Sequence, residues 1–288
     1  MVTALAWTDV NGDRKPELIV TGEWMYPHVY SFNGKQFAEQ KTGLEEQYGW
    51  WQQMHVADLN ADGHPDLVLG NLGENFYLKP DATHPVKLWI KDFDQNGISD
   101  KIFSHTIGEK DVPVFMKKEI TDQIPSLKKS NLKHQDYASK TMQQLFKDGL
   151  KDAAVLKVNN AASLVAINNG KGQFSIRLLP VEAQLSSINA VAVTDVNKDG
   201  HADLLAAGNF FDLLPQFCSV DASYGQVLLG DGKGGYTITA PYKSGISLNG
   251  QVRDIAPVKF KQQTGFLYLQ NNSYPVFFRV NEKGNTTK

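Results

Sequence analysis

Four short segments of the chain carry oxygen-bearing side chains at one shared spacing. In residues 58–66 (DLNADGHPD), carboxylates or amides stand at positions one, three, five and nine. Carboxylate and amide oxygens are the ligands that hard divalent cations prefer in proteins, and calcium accepts six to eight of them at flexible angles. The spacing therefore indicates cation binding. The four segments are loop A (residues 9–17), loop B (58–66), loop C (92–100) and loop D (195–203).

The ligand set predicted for each loop follows from these positions. The main-chain carbonyl of position seven can join the side-chain oxygens, and a glycine at position six permits a sharp, left-handed turn around the ion. Loop A departs most from the pattern, with Arg14 at position six and Glu17 at position nine. The sequence thus predicts up to four Ca²⁺ sites, of which the loop A site matches the pattern least. The predicted ligands are Asp9, Asn11, Asp13, Lys15, Glu17, Asp58, Asn60, Asp62, His64, Asp66, Asp92, Asp94, Asn96, Ile98, Asp100, Asp195, Asn197, Asp199, His201 and Asp203.

Three other interpretations of the loops stay open beside the calcium sites. An EF-hand needs flanking helices and a glutamate at position twelve, where this chain has apolar residues (Val20, Leu69, Phe103 and Ala206). Paired catalytic carboxylates would need a cleft and one raised pKa, whereas four similar copies favour a repeated scaffold role. Acidic turns without any metal are the third alternative. With three carboxylates in each loop, an empty loop repels itself, so a bound cation would stabilise the fold.

The segments on either side of each loop have the pattern of short strands. Residues 4–7, 54–57, 87–90 and 190–193 precede the loops, and apolar triplets such as Leu67-Val68-Leu69 follow them. Hairpins with glycine-containing turns come next, at residues 29–37 and 226–236. Two strands plus a hairpin make a four-stranded unit that cannot bury both of its faces alone, so such units stack.

This repeated order of strand, loop, strand and hairpin predicts an all-β fold in which the 288 residues form a single β-propeller domain with about five recognisable blades. The third unit is abnormally long and contains a helical insert at about residues 110–149, with Tyr137, Thr141, Met142, Leu145 and Phe146 on one helix face and Gly149 at its end. The lysines of the insert form either a solvated face or a basic docking surface. The predicted blades are residues 2–45, 50–85, 86–182, 188–241 and 250–288.

Composition excludes several classes of function. A formal net charge of -2 gives no broad basic field for nucleic acid, and no apolar run is long enough to span a membrane. A single cysteine, Cys218, excludes an internal disulfide framework and is expected to be a small buried apolar residue. Because Asp9 already opens a loop, we expect the chain to come from a longer precursor with an export signal upstream.

The loops followed by a strand and a Gly-Asn pair, at Gly70-Asn71 and Gly208-Asn209, resemble FG-GAP or VCBS repeats of the kind found in integrin α-chain propellers. The chain also resembles the C-terminal part of large secreted VCBS-repeat proteins of Bacteroidetes related to the ASPIC and UnbV family. Gly49-Trp50-Trp51, residues 124–129 (IPSLKK) and residues 221–225 (DASYG) carry this resemblance. It implies a propeller, calcium in the loops, and an extracellular, cell-surface or periplasmic location.

The expected function is a non-catalytic module for binding or adhesion, with a glycan or a protein as its ligand. Aromatic residues near predicted strand ends would either stack on sugar rings or pack one blade on another. They are Trp24, Tyr26, Tyr48, Trp50, Trp51, Phe210, Phe211 and Tyr224. The alternatives are a polysaccharide-active lyase or glycosidase, and a scaffold for protein–protein interactions alone. The scattered histidines form no spacing that supports a catalytic site.

Overall fold

The computed structural model of the 288-residue chain describes residues 1–213, 217, 219–260 and 263–280, with the side chains of 260, 263 and 264 excepted. The prediction for Cys218 lies outside these residues. The described chain divides into two compact units. Unit 1 comprises Met1–Glu46, Trp50–Tyr77 and the described residues from Ala161 onward, and unit 2 comprises Gln47–Gly49 and Leu78–Asn160.

Five antiparallel sheets, which we name A to E, make up the fold. Sheet A contains β1 (Val2–Thr8), β2 (Glu17–Met25), β3 (His28–Phe32) and β4 (Phe37–Glu39), and β5 (Gly49–Trp50) follows in the chain. Sheet B contains β6 (Gln53–Ala57), β7 (Asp66–Gly70), β12 (Leu164–Asn168) and β13 (Phe174–Leu178). Sheet C contains β8 (Val86–Lys91), β9 (Asp100–Ile107), β10 (Lys110–Pro113) and β11 (Ala154–Val158).

Sheets D and E lie in the C-terminal part of the chain. Sheet D contains β14 (Ile188–Thr194), β15 (Asp203–Gly208), β16 (Gln226–Gly230) and β17 (Tyr236–Ile238), and sheet E contains β18 (Val252–Phe260), β19 (Gln263–Gln270) and β20 (Val276–Arg279). The number of repeat units and the strands on both sides of all four loops are confirmed. The helix α5 (Pro241–Ser244) lies between β17 and β18, and a 3-10 turn at Val181–Gln184 precedes β14.

The boundaries predicted for the second and third blades are wrong. Strands β12 and β13 were assigned from the sequence to a blade at 86–182, but β12 pairs with β7, and β13 pairs with β12, which completes sheet B. Sheet C is therefore inserted between the second and third strands of sheet B. The spacing of the loops could not reveal this, because Leu69 and its partner Leu164 are separated by the whole of unit 2.

The four sheets of unit 1 follow one another as blades of a propeller do. Strand β6 contacts β1 on one side and β14 on the other, and β14 also contacts β18. An apolar cluster around Ile19, Leu67 and Leu164 joins sheet A to sheet B. A second cluster joins sheets B and D through Val68 and Leu204, and a third joins sheets D and E. That all 288 residues form one propeller domain stays a prediction.

Unit 2 consists of sheet C and a group of short helices that covers it. The helices lie within 117–150, as predicted for the insert, but the single helix expected around residues 137–146 is two. Thr141 begins the second helix by accepting the N–H of Gln144, and Gly149 lies in a 3-10 turn. The elements are α1 (Lys117–Gln123), α2 (Leu127–Ser130), α3 (His134–Ala138), α4 (Met142–Phe146) and the turn Lys147–Leu150.

The two short helices still present one apolar side to the core of unit 2. Tyr137 and Met142 are both buried in a cluster with Trp89, Ile102 and Ile120. Among the described residues, none of the helices has the length and apolar character needed to cross a membrane.

Candidate metal-binding loops

Each of loops A to D joins the first two strands of its sheet and is folded around its own carboxylates. In loop B, Asp58 accepts hydrogen bonds from the main-chain N–H groups of Asp62 (3.2 Å) and Gly63 (2.8 Å). Asp62 in turn accepts the N–H of His64 at 2.9 Å, which lowers the pKa of Asp62. The side chains at positions one and five thus point into the turn, where a cation would be held.

The main chain takes the same course in all four loops. Residues at positions four and six have a left-handed conformation, with φ of 59° at Ala61 and 85° at Gly63 in loop B. Position six is glycine in three loops, as predicted, and in loop A Arg14 adopts the conformation with φ of 66°. The departure of loop A from the sequence pattern therefore does not change its backbone. The equivalent pairs are Gly12 and Arg14, Gln95 and Gly97, and Lys198 and Gly200.

The carboxylate at position nine differs from the others because it is buried. Asp66 is fully buried and accepts the N–H of Leu59 at 2.9 Å and the N–H of Asn168, in β12, at 2.8 Å. Burial raises the pKa of Asp66, and the neighbouring charges of Asp62 and Asp58 add to this effect. The ninth position therefore anchors each loop to its sheet as well as contributing negative charge.

Loops A and D have the same anchor. Asp203 is fully buried and accepts the N–H of Val196 at 2.9 Å and that of Gly230 at 2.8 Å. Glu17, which is 1% exposed, accepts the N–H of Val10 at 3.1 Å. Burial raises the pKa of Glu17, with smaller contributions from Asp13 and Asp9. A glutamate at this place therefore makes the same bond to position two of the loop as an aspartate does.

Loop C brings three carboxylates together most closely. One oxygen each of Asp92, Asp94 and Asp100 lie within 4.8 Å of one another, the one such group found in the described part of the chain. Asp100 also accepts the side-chain N–H of Gln123, from α1, at 3.1 Å. The Oδ1 atom of Asp94 is buried and has no hydrogen-bond partner. A buried, unpartnered carboxylate oxygen beside two further carboxylates fits a cation ligand, because such an oxygen is costly unless it is neutralised.

In loops B and D the residue at position seven is a histidine whose ring packs against a hairpin turn of the same sheet. The rings of His64 and His201 lie against Gly170 and Gly232, in the hairpin turns of sheets B and D, and leave no room for a Cβ atom there. These glycines therefore belong to the site. For His201 the signal was present in the sequence, because a hairpin with a Gly-Lys-Gly turn follows loop D. Gly170 lies in the β12–β13 hairpin, whose place in sheet B the spacing could not reveal.

A groove of about 270 Å³ lies between loops B and D in unit 1. Asp58 and Asn60 line one side of it, and Asp195, His201 and Gly232 line the other. The groove is lined mainly by loop residues, so a bound ligand would contact the candidate cation sites directly.

The Gly-Asn pairs that follow the loops are buried hydrogen-bonding centres. Asn209 is fully buried, donates from its amide to the carbonyl oxygens of Ser223 (2.9 Å) and Gly250 (3.1 Å), and accepts from Ser186 Oγ (2.7 Å). Asn71 is also fully buried and accepts the N–H of Trp50 at 3.1 Å. Asn209 thus connects segments that have no regular secondary structure, and Asn71 binds the end of β5.

Of the eight aromatic residues near the predicted strand ends, two are buried, four are partly buried and two are exposed. Trp51 is fully buried, and Trp50 contacts Trp24 edge to face with ring centroids 5.5 Å apart. Phe211 and Tyr224 remain exposed, at 42% and 53%. The tryptophans therefore belong to the packing between strands, which was one of the two alternatives.

Comparison with known proteins agrees with the repeat pattern. Residues 9–69 and 145–206 match the model of the FG-GAP-like repeat. No curated protein matches the chain significantly. The chain aligns with a solved structure on the recognition of non-reducing terminal N-acetylglucosamine by an Agrocybe aegerita lectin, with 13% identity, a TM-score of 0.23, and coverage of 96% of this chain and 80% of that chain. A TM-score this low supports no conclusion about ligand. The two matched segments therefore carry FG-GAP-like repeats, in agreement with the repeated antiparallel sheets.

Proposed function

We propose that the chain is a calcium-stabilised, non-catalytic binding module that works outside the cytoplasm. The observation that carries the proposal is the group formed by Asp92, Asp94 and Asp100, with a buried and unpartnered oxygen on Asp94. FG-GAP-like repeats are modules for interaction with ligands or proteins. The repetition of similar acidic loops in four sheets favours a scaffold role over a catalytic one.

The donor set of the loops suits calcium better than other common cations. In each loop, positions one, three, five and nine offer oxygen atoms, and neither histidine nor cysteine stands at those positions. Magnesium requires a stricter octahedral arrangement, and zinc prefers nitrogen or sulfur ligands. When bound, calcium would neutralise the carboxylates and so supply stability. The residues themselves set the shape of the loop and tie it to the sheet through position nine.

The energetic consequence is that ion binding becomes part of the free energy of folding. Like charges held several ångströms apart repel by roughly 1 to 4 kcal/mol per pair, depending on the local dielectric. A ligand that binds only the folded state stabilises it by about 2.7 kcal/mol at a concentration of 100 times its Kd. Several loops of moderate affinity would therefore raise the melting temperature substantially.

Thermal unfolding tests the calcium part of the proposal. The protein is melted in excess calcium, in excess magnesium and in a chelator, with scanning calorimetry as the readout. We expect the melting temperature to rise in calcium, to change much less in magnesium, and to be lowest in the chelator. An unchanged melting temperature across the three conditions would contradict the proposal.

The location follows from the expected affinity of the sites. Calcium loops of extracellular modules have Kd values of about 10⁻⁴ to 10⁻³ M, so that they fill only where calcium is abundant. We therefore place the chain at the cell surface, in the periplasm or in the extracellular medium. Protease treatment of intact cells, followed by detection of the remaining protein, tests this. Full protection in intact cells together with recovery in the cytosolic fraction would contradict it.

The ligand we propose is a glycan or a protein surface, bound at the loop end of the sheets in unit 1. The groove between loops B and D has both polar and apolar walls and is small, at about 270 Å³, which suits a sugar ring or a single side chain. A glycan array run beside a degradation screen on polysaccharides separates the alternatives. Binding without turnover supports the proposal, protein capture without glycan binding selects the protein ligand, and product formation contradicts the non-catalytic assignment.

A further inference from the structure

One face of sheet A is apolar and is not packed against another sheet within the described residues. Paired residues on neighbouring strands share a face, and the pairs Leu5 with Val20 and Trp7 with Leu18 define this one. We call it the outer face of sheet A. Its apolar side chains are Leu5, Trp7, Leu18, Val20, Phe32 and Phe37.

The exposure of this face is large for side chains of this kind. Leu5 is 63% exposed, Trp7 52%, Phe32 47% and Phe37 50%. The three aromatic rings contact one another, with centroids 6.1 Å apart for Trp7 and Phe37 and 4.9 Å apart for Phe32 and Phe37. A continuous exposed apolar patch on a sheet indicates an interaction surface.

The repeat itself shows what packs on the equivalent face of other sheets. Leu5 and Trp7 stand four and two residues before the first aspartate of loop A, as Met54 and Val56 do before loop B. In sheet B these residues belong to the apolar cluster that joins sheet B to sheet A, and Met54 is only 7% exposed. The outer face of sheet A thus corresponds to the face by which sheet B packs on the sheet before it.

The second strand and sheet D give the same correspondence. Leu18 and Val20 match Leu67 and Leu69, which are fully buried against sheet A. In sheet D, Val191 is 3% exposed in the cluster with sheet B, at the place equivalent to Leu5. Sheets B and D therefore show that the face equivalent to the outer face of sheet A packs on the apolar face of another antiparallel sheet.

The chain carries a face of the complementary kind at the other end of the row of sheets in unit 1. Sheet E packs on sheet D through Ile255, Phe266 and Tyr268. Its opposite face contains the paired residues Leu267 and Phe277, and Phe277 is 40% exposed. We call this the outer face of sheet E.

We propose that the outer face of sheet A binds the outer face of sheet E of a second copy of this chain. The contact would continue the succession of sheets seen within unit 1, where each sheet packs on the one before it. The contact would be mainly apolar, because Glu39, in the row of Trp7, Leu18 and Tyr30, is already paired with His28 and Tyr26. Two different faces meet, so the contact is heterologous, and two copies can close a ring by making it twice.

Self-association in solution tests the proposal. Analytical ultracentrifugation of the full chain over a range of concentrations should show reversible association. Trp7→Thr should weaken it about tenfold or more, because exposed aromatic residues at the centre of an interface dominate its affinity. Ile107→Thr, which changes an apolar strand residue that is 56% exposed in unit 2, is the matched control and should leave association unchanged.

A mixing experiment tests the pairing of the two faces. Phe277→Thr should weaken association as Trp7→Thr does, and a mixture of the two variants should associate more strongly than either alone, since one intact contact can still form. A monomer at every concentration would overturn the proposal, as would association that survives Trp7→Thr. If Trp7→Thr loses association but Phe277→Thr does not, the pairing with the outer face of sheet E is overturned. Circular dichroism confirms that each variant is folded.

Discussion

The carboxylate of Asp66 accepts a hydrogen bond from the main-chain N–H of Asn168 at 2.8 Å, although the two residues are 102 positions apart in the chain. This bond connects the end of loop B to β12, which rejoins sheet B after the whole of sheet C has been inserted. The ninth residue of loop B therefore anchors the loop to two strands, β7 and β12. Asp203 makes the equivalent bond to Gly230 in sheet D at 2.8 Å.

Asp66→Asn should destabilise the protein even when no calcium is present. The asparagine amide group would face one of the two main-chain N–H donors, so that a buried donor loses its acceptor at a cost of about 2–3 kcal/mol. Chemical denaturation in a chelator measures this. Asp58→Asn, at an exposed position one, is the control and should change stability in the chelator much less. Equal losses for the two variants would contradict the anchoring role.

Asp94→Asn should reduce the stabilisation that calcium gives and leave stability in the chelator unchanged or higher. The substitution removes one of three clustered charges, so the empty loop repels itself less while the cation loses a ligand. Melting temperatures with and without calcium measure both effects. Asp122→Asn, at a side chain 56% exposed in α1, is the control and should keep the full calcium response. A full response in Asp94→Asn would contradict a site at loop C.

Asn209→Gly should cost about 2–3 kcal/mol, since it removes the buried amide that pairs with Ser186, Ser223 and Gly250. Asn209 has φ of 87°, which glycine adopts freely. Asn209→Ala should therefore cost about 1 kcal/mol more than Asn209→Gly, because alanine is strained in this conformation. Urea denaturation compares the two variants. A loss below about 0.5 kcal/mol in both would contradict the role of the asparagine as a hydrogen-bonding centre.

Stability should fall as the pH is lowered through the range in which histidine titrates. Burial lowers the pKa of His55, although the negative charge of Asp254 opposes this, and burial also lowers the pKa of His105. A histidine with a depressed pKa in the folded state takes up its proton more readily when unfolded, so stability is lost below about pH 6.5.

The expected slope is at most about 1.4 kcal/mol per pH unit for each histidine. Denaturation between pH 8 and pH 5, carried out in a chelator so that cation binding does not contribute, measures it. His55→Gln should reduce the slope of the free energy of unfolding against pH by the contribution of one histidine. If the slope in this variant equals that of the unmodified protein, His55 does not contribute to the pH dependence of stability.

The sequence predicted the features that depend on local pattern and missed those that depend on distant partners. Loops A to D, their flanking strands and the left-handed residues such as Gly63 follow from spacing and backbone preference within nine residues. The pairing of β12 with β7 could not be predicted, because the segments lie on either side of unit 2. The same limit applies to Asn209, whose partners come from three separate segments of the chain.

The helical insert shows a second limit of local pattern. Tyr137 and Met142 lie on one apolar side, as the spacing predicted, but Thr141 caps a new helix and so divides the segment. A capping threonine inside an apolar pattern was the signal for this break. The glycine behind His201 could also have been found from the hairpin that follows loop D.

The most direct test of the account is a crystal structure grown with calcium and measured for its anomalous scattering. We expect anomalous peaks inside the loops, coordinated by the side chains at positions one, three, five and nine, with the strongest evidence in loop C around Asp92, Asp94 and Asp100. Loops without any peak, in protein saturated with calcium, would contradict the central claim that these turns are cation sites.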